Sequence, residues 1–266
     1  MTKKRITSLA IALMLIIGMF AMMPTAAAVT DEVSLIYAET KNATGGVYLK
    51  GYVEVENLGY NKEVTINYFN SYDMIWTTVE ATYVGPTYGN YEAWYFETPA
   101  VYNPNHRAST SYTFAIEYTV NNVTYWDNNG GDDYYVLSAG YTTSYSSATV
   151  FGTGKLFLRD AEFYDGGTIN VLRGTIHINN LGYNKNVFVR YTTDNWATYT
   201  DAAAGYESTY PNFNYSGPSN VERWGFLVNL PIADDSIEFA IGYTVNGETY
   251  WDNNFGENYS YEIPVV

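Results

Sequence analysis

From Glu32 onward apolar and polar residues alternate in short runs rich in Val, Ile, Thr, Tyr and Phe, broken by Gly, Asn and Pro, and no stretch sustains a 3.6-residue period. The pattern predicts strands and no helices. Between 155 and 264 it places seven, at Lys155–Tyr164, Val171–Asn179, Asn186–Thr193, Glu222–Leu230, Ser236–Val245, Glu248–Asp252 and Tyr259–Pro264. Asn246-Gly247 and Asn121-Asn122 read as two-residue type I′ hairpin turns, which pair Val120 with Val123 and Tyr118 with Tyr125. Because successive side chains point to opposite faces, Val120, Tyr118, Ile116, Val123 and Tyr125 share one apolar face, taken as core. Trp126 then falls on the opposite face across from Glu117, and Trp251 across from Gly242.

The pattern is written twice. NLGYNK occurs at 57–62 and 180–185, and FAIEYTVNNVTYWDNN at 114–129 matches FAIGYTVNGETYWDNN at 239–254 in 13 of 16 positions. The six tryptophans pair as Trp76 with Trp196, Trp94 with Trp224, and Trp126 with Trp251. Seven or eight strands per copy predict an all-β chain of two tandem immunoglobulin-like antiparallel β-sandwiches, at 31–137 and 154–266, joined by a flexible Ser/Thr/Gly-rich linker at 138–153. Residues 1–28 read as a secretory signal peptide: Lys3, Lys4 and Arg5, an apolar run from Leu9 to Met23, then Ala26-Ala27-Ala28. The protein is expected to be secreted, extracellular and free of any membrane.

Composition narrows the chemistry. The chain carries 29 Tyr and 6 Trp, with two His and no Cys, which excludes disulfides and thiolate chemistry and leaves little for a histidine metal cluster. A net charge of −15, or −18 once the leader's three cations are removed, disfavours nucleic acid and anionic membranes. A neutral, hydroxyl-rich ligand fits better, since aromatic rings offer flat apolar faces with polar edges. Trp126 and Trp251, each followed by Asp-Asn-Asn, form such a combination: indole for the C–H face of a sugar, amides for its hydroxyls. The competing reading packs these tryptophans under a loop or against the other module. Trp94 and Trp224, alternating with Phe96 and Phe226, read as structural. Asp127 and Asp252, one per module, suit ligand contact or turn formation better than the paired carboxylates of a glycoside hydrolase. The oxygen-rich run 127–133 invites calcium but lacks the spacing of an EF-hand loop. His106 and His177 sit at non-equivalent positions and share no chemical role.

NLGYNKEV and NLGYNKNV, the DNW at 194–196, GNYEAWYF at 89–96, and FAIxYTVN with TYWDNN in both copies resemble carbohydrate-binding module family twenty-one. The resemblance implies a non-catalytic sandwich, without cofactor or metal, that binds α-1,4-glucans such as starch, glycogen and maltooligosaccharides at two aromatic sites. A separate amylolytic enzyme is the partner such a module would serve. The first implied site is Trp76, Trp126, Asn128 and Asn129 in copy one, and Trp196, Trp251, Asn253, Asn254 and Asn258 in copy two. The second is Tyr60, Tyr83 and Tyr91 with Lys62 in copy one, and Tyr183 and Tyr206 in copy two. Two departures stand out: Ala115 and Ala240 occupy a position where the family can carry an aromatic, and Asp133 replaces Asn258. Val221 stands in place of Tyr91, beside an insertion bearing Tyr210, Phe213 and Tyr215. A secreted adhesion protein using its aromatic faces for protein contacts is the alternative.

Overall fold

The computed structural model describes residues 32–43, 46–102, 110–137, 149–165, 167–210, 221–231 and 236–262. The leader, most of the linker, His106 and the insertion's Phe213 and Tyr215 lie outside these residues. Among the described residues the regular structure is strand, apart from two single-turn 3₁₀ segments, and no helix is long and apolar enough to cross a membrane.

The first module contains β1 (Val33–Ala43), β2 (Gly46–Glu56), β3 (Lys62–Asn70), β4 (Trp76–Glu80), β5 (Thr82–Pro86), β6 (Tyr91–Glu97), β7 (Ser111–Val120), β8 (Val123–Asp127), β9 (Tyr134–Leu137) and β10 (Thr149–Phe151). The second contains β11 (Leu156–Asp165), β12 (Ile169–Asn179), β13 (Lys185–Thr192), β14 (Thr200–Ala203), β15 (Gly205–Tyr210), β16 (Val221–Pro231), β17 (Ser236–Val245), β18 (Glu248–Asp252) and β19 (Tyr259–Glu262). All seven strands expected in the second module form. β14 and β15 have no counterpart in the sequence reading, because TDAA and GYESTY are short edge segments without apolar alternation.

Each module is two antiparallel sheets face to face. In the first, β10-β1-β2-β6-β5 packs on β4-β3-β7-β8, with β9 also pairing β7; in the second, β11-β12-β16-β15 packs on β14-β13-β17-β18, with β19 on β17. The alternation of β3 and β7 sends Val64, Ile66, Tyr68, Phe114, Ile116 and Tyr118 inward to meet Leu35, Leu49, Val53 and Phe96. The equivalent side chains, among them Phe226, Phe239, Ile241 and Tyr243, fill the second core. Both hairpins take the expected register, with positive φ at Asn121, Asn122, Asn246 and Gly247. Val123 departs from its expected place: at the hairpin tip it overhangs the sandwich and is half exposed.

A carboxylate, buried in the first module and half-buried in the second, staples the two sheets of each module. Asp127, at the end of β8, accepts from the backbone N–H of Leu35 in β1 (2.7 Å) and from the Tyr134 hydroxyl of β9 (2.8 Å). Asp252 does the same with Leu158 (2.6 Å) and Tyr259 (2.9 Å). In both modules the acceptor meets the strand beside a β-bulge, between Leu35 and Tyr37 and between Leu158 and Asp160, where the ladder is interrupted. Tyrosine hydroxyls add further ties between the sheets, from Tyr118 to the Glu56 carbonyl (2.7 Å) and from Tyr243 to that of Asn179 (3.1 Å).

The segment read as a flexible linker ends as structure. Thr149–Phe151 is β10, paired with Glu39, Ala38 and Tyr37 on β1, and it carries the chain directly into the second module. There the modules dock. Tyr37 stacks on Phe157 at 3.8 Å, and Tyr52 meets Phe255 at 4.8 Å. Buried Glu39 is ringed by Lys41, Lys50 and, from the second module's bulge, Arg159. His177, buried beside Phe157, shares a hydrogen bond with Thr149 (2.9 Å). The contact runs one way because the copies differ along one cross-strand row: Tyr37, Tyr52 and Tyr95 in the first module, Asp160, Thr175 and Gly225 in the second.

Burial, reinforced by Arg159, Arg223 and Lys41, pushes the His177 imidazole well below its ordinary range, so it is neutral in the fold. The unfolded chain takes up that proton near pH ~6.5, so the stability His177 contributes is present above that pH and is lost as pH falls below it. Glu39 and Asp127, both shifted upward by burial, act in the opposite sense, so the difference between wild type and His177→Asn isolates the effect. Urea unfolding should show wild type losing up to ~1.4 kcal/mol per pH unit relative to the variant between about pH 6.5 and 5.

Candidate carbohydrate-binding faces

On β7 and β8 the core takes every second residue, which turns Ala115, Glu117 and Trp126 onto the outer face of the sheet. Trp76, first residue of β4, lies opposite Phe69 on that same outer face and touches it at 5.9 Å. With strand order β4-β3-β7-β8, the two tryptophans stand at diagonal corners of one face, Trp76 40% exposed and Trp126 half-buried. Trp126 is therefore less open than its register alone suggests. Trp251, its counterpart, is 42% exposed. Ala115 and Ala240 lie mid-face and are buried.

The amides that follow each tryptophan build the turn that ends β8 and β18. The Asn128 side chain accepts from Gly131 N–H and caps a 3₁₀ turn, while Asn129 donates to the Asp133 carbonyl. Asn253 and Asn254 repeat this with Gly256 and the Asn258 carbonyl. Asn258 therefore enters the turn through its backbone, which explains how Asp133 can replace it, both residues having φ of 56°. Asp127 and Asp252 belong to the frame beneath, and they also accept from the N–H groups of Asn129 and Asn254. Burial raises both carboxyls above the usual aspartate range, against the lowering effect of their donors. Among the described residues no group of three or more His, Asp or Glu is gathered for a metal.

The second predicted site sits on the NLGYNK loop. Leu58 and Leu181 pack on the cores, and the hairpin residues Asn121 and Asn246 donate to their carbonyls at 2.9 and 3.2 Å. A Cβ at Gly59 or Gly182 would lie within 3 Å of those same asparagine amides and would push them off the leucine carbonyls, so glycine there lets the loop and the hairpin lie this close. The next residue has nowhere to go but outward: Tyr60 and Tyr183 are each 97% exposed on an immobilised backbone. Behind each loop a lysine is paired with a buried glutamate, Lys62 with Glu92 at 3.1 Å and Lys185 with Glu222 at 2.8 Å. Lys62 thus braces the loop. Tyr83 and Tyr206 are exposed, each edge-on to its half-buried structural tryptophan, Trp94 or Trp224. Tyr91 is half-buried at the start of β6, opposite Glu56.

The register revises one equivalence. β14 begins with Thr200 opposite Tyr191, so Tyr199 falls opposite Thr192, as Trp76 does opposite Phe69 in the first module. The structural counterpart of Trp76 is Tyr199, 58% exposed, and Trp196 lies three residues earlier in the turn, its indole donating to Glu238 at 2.6 Å. The ungapped alignment of 68–80 with 191–203 carries this signal, but pairing the tryptophans by type conceals it. A trough of about 750 Å³ on the outer face of β11, β12, β16 and β15 reaches the exposed Tyr206 at one edge and is lined by the ion pairs Arg173–Glu162 and Arg223–Glu207.

A sequence profile for the carbohydrate/starch-binding module, family 21, matches residues 28–137 and 152–262. Similar proteins include protein phosphatase 1 regulatory subunit 3C of Clarias batrachus, 36% identical over 34% of this chain and 31% of the relative. Another is protein phosphatase 1 regulatory subunit 3B of Homo sapiens, 38% identical over 33% of this chain and 30% of the relative. The chain spans about a third of the length of these curated relatives. Among solved structures, the carbohydrate binding module of the muscle glycogen-targeting subunit of protein phosphatase-1 is 30% identical over 40% of this chain and 73% of that one, with a TM-score of 0.29. The starch binding domain of Rhizopus oryzae glucoamylase, in complex with β-cyclodextrin and maltoheptaose, is 28% identical over 42% and 93%, with a TM-score of 0.30.

The geometry separates frame from surface, and urea unfolding should do the same. Asp127→Ala strands the Leu35 N–H and the Tyr134 hydroxyl and should cost about 3 kcal/mol. Tyr60→Ala should change stability by less than ~0.5 kcal/mol.

Proposed function

Since the chain belongs to carbohydrate/starch-binding module family 21, twice over, we propose that it is a non-catalytic protein that binds α-1,4-glucans such as starch, glycogen or maltooligosaccharides through both modules. The observation that carries this reading is the duplicated outer face, where Trp126 and Trp251 stand beside turns built from paired asparagines, backed by Tyr60 and Tyr183 fully presented on braced loops. Flat rings set on rigid backbone suit the apolar faces of a neutral sugar chain, and the surrounding acidity would repel an anionic one. Catalysis does not enter the reading: the repeated aspartates hold sheets together.

Docking changes how the tandem would work. A floppy tether would supply effective concentration alone, whereas two docked modules present their faces at a set spacing, which favours one long or bundled glucan that matches it. Residues 1–28 support export, so we place the protein outside the cell. The expected partner, an amylolytic enzyme, would act on the same polymer there. The relatives' names favour a second reading, in which the partner is a phosphatase. Cell fractionation separates the two: recovery in the medium supports the first, retention in the cytoplasm the second.

Adsorption to granular starch, compared with cellulose, tests the main reading. The wild-type protein should be depleted by starch and not by cellulose, and Trp126→Ala combined with Trp251→Ala should lower starch adsorption at least tenfold. Equal adsorption to both polymers would sink it.

A further inference from the structure

The outer face of the second module departs from that of the first in a cluster of substitutions that touch one another. Thr65, Asn67, Thr78 and Glu117 of the first module are replaced, at the same register positions, by Phe188, Arg190, Asp201 and Gly242. In the first module Asn67 donates to Glu117 at 3.1 Å, giving a polar mid-face. In the second, loss of the side chain at Gly242 makes room for Phe188: a Cβ there would lie 2.2 Å from its ring. Phe188 then meets Trp251 edge-on, at 5.4 Å and 86°.

Arg190 occupies the centre of this face, opposite Ala240. Its Nε and Nη2 form a two-pronged pair with Asp201, at 2.7 and 2.8 Å, across the β13–β14 ladder. Its guanidinium carbon lies 4.1 Å from the ring centre of Tyr199 and 5.0 Å from that of Trp251, so the two rings stand within about 9 Å of each other on either side of one cation. Nη1 and the second hydrogen of Nη2 are not used by Asp201 and are available to a hydroxyl. Trp196 is fixed on the same face by Glu238.

We propose that Tyr199 is a stacking residue of the second module's glucan site, and that Arg190, held by Asp201, is the positioning residue that sets Tyr199 and Trp251 as two sides of one platform. This rests on the reading of that face as a glucan site and deepens it: the second module gains a three-ring surface of Trp251, Tyr199 and Trp196, with a cationic hydroxyl donor at its centre. The alanine at 240 is then part of the design, because a large side chain there would compete with the guanidinium for the middle of the face. The first module, with Asn67 bonded to Glu117 in that place, keeps Trp76 and Trp126 around a polar centre that carries no cation. The two modules therefore differ in affinity for the same sugar.

The test follows the indole N–H signals of Trp126 and Trp251 separately by NMR while the full chain is titrated with maltoheptaose. In Tyr199→Ala the dissociation constant read at Trp251 should rise about tenfold while that read at Trp126 stays unchanged, the scale expected for one lost aromatic contact. Tyr199→Trp should bind at least as tightly as wild type, which guards against loss of packing as the cause. Arg190→Lys keeps the charge but not the fork and should weaken binding at Trp251 alone. An unchanged constant at Trp251 in Tyr199→Ala overturns the proposal. Absence of any shift at either indole in the wild type overturns the glucan reading of these faces and the proposal with it.

Discussion

One inward-facing carboxylate per module holds the rest in place. Asp127 and Asp252 each join the end of a strand in one sheet to the N–H beside a bulge in the other, and to a tyrosine on a third strand. Burying a carboxylate is costly unless donors surround it, and here backbone N–H groups and a phenol supply them. The same aspartates fix the first N–H of the asparagine turns, and so the direction in which the chain leaves Trp126 and Trp251. Sandwich closure, bulge, turn and ring presentation thus converge on one side chain.

The duplication also shows how two copies of a fold can be made to associate in one direction. The copies share their strand order and their aspartate staples, and where they dock they differ along the Tyr37–Tyr52–Tyr95 row, whose counterpart is Asp160, Thr175 and Gly225. Aromatic rows on one copy receive Phe157 and Phe255 from the other, while the second copy's own row is left small and polar. Phe255 is itself matched by Gly130 in the first turn, so of the two turns only the second projects a ring.

Much of this was legible in the sequence because strand alternation and hairpin chemistry are local rules. The type I′ turns at Asn121 and Asn246 fixed which faces Trp126 and Trp251 occupy, and the repeat fixed the domain plan. What stayed hidden depends on contacts between distant residues. The asparagines look like sugar ligands from their neighbourhood, and only the folded turn shows them capping Gly131 and Gly256. Trp196 seemed the partner of Trp76 by residue type, whereas cross-strand register gives that place to Tyr199. Linker composition signalled flexibility, but pairing with β1 converts its end to a strand, a tertiary effect that local composition does not encode.

The central claim is that both modules present sugar-binding aromatic surfaces on an already rigid frame. Titration calorimetry of the full chain with β-cyclodextrin reads this most directly, since it gives heat and the number of sites together. The account predicts saturable binding with more than one ligand per chain. No measurable heat at millimolar ligand would contradict it.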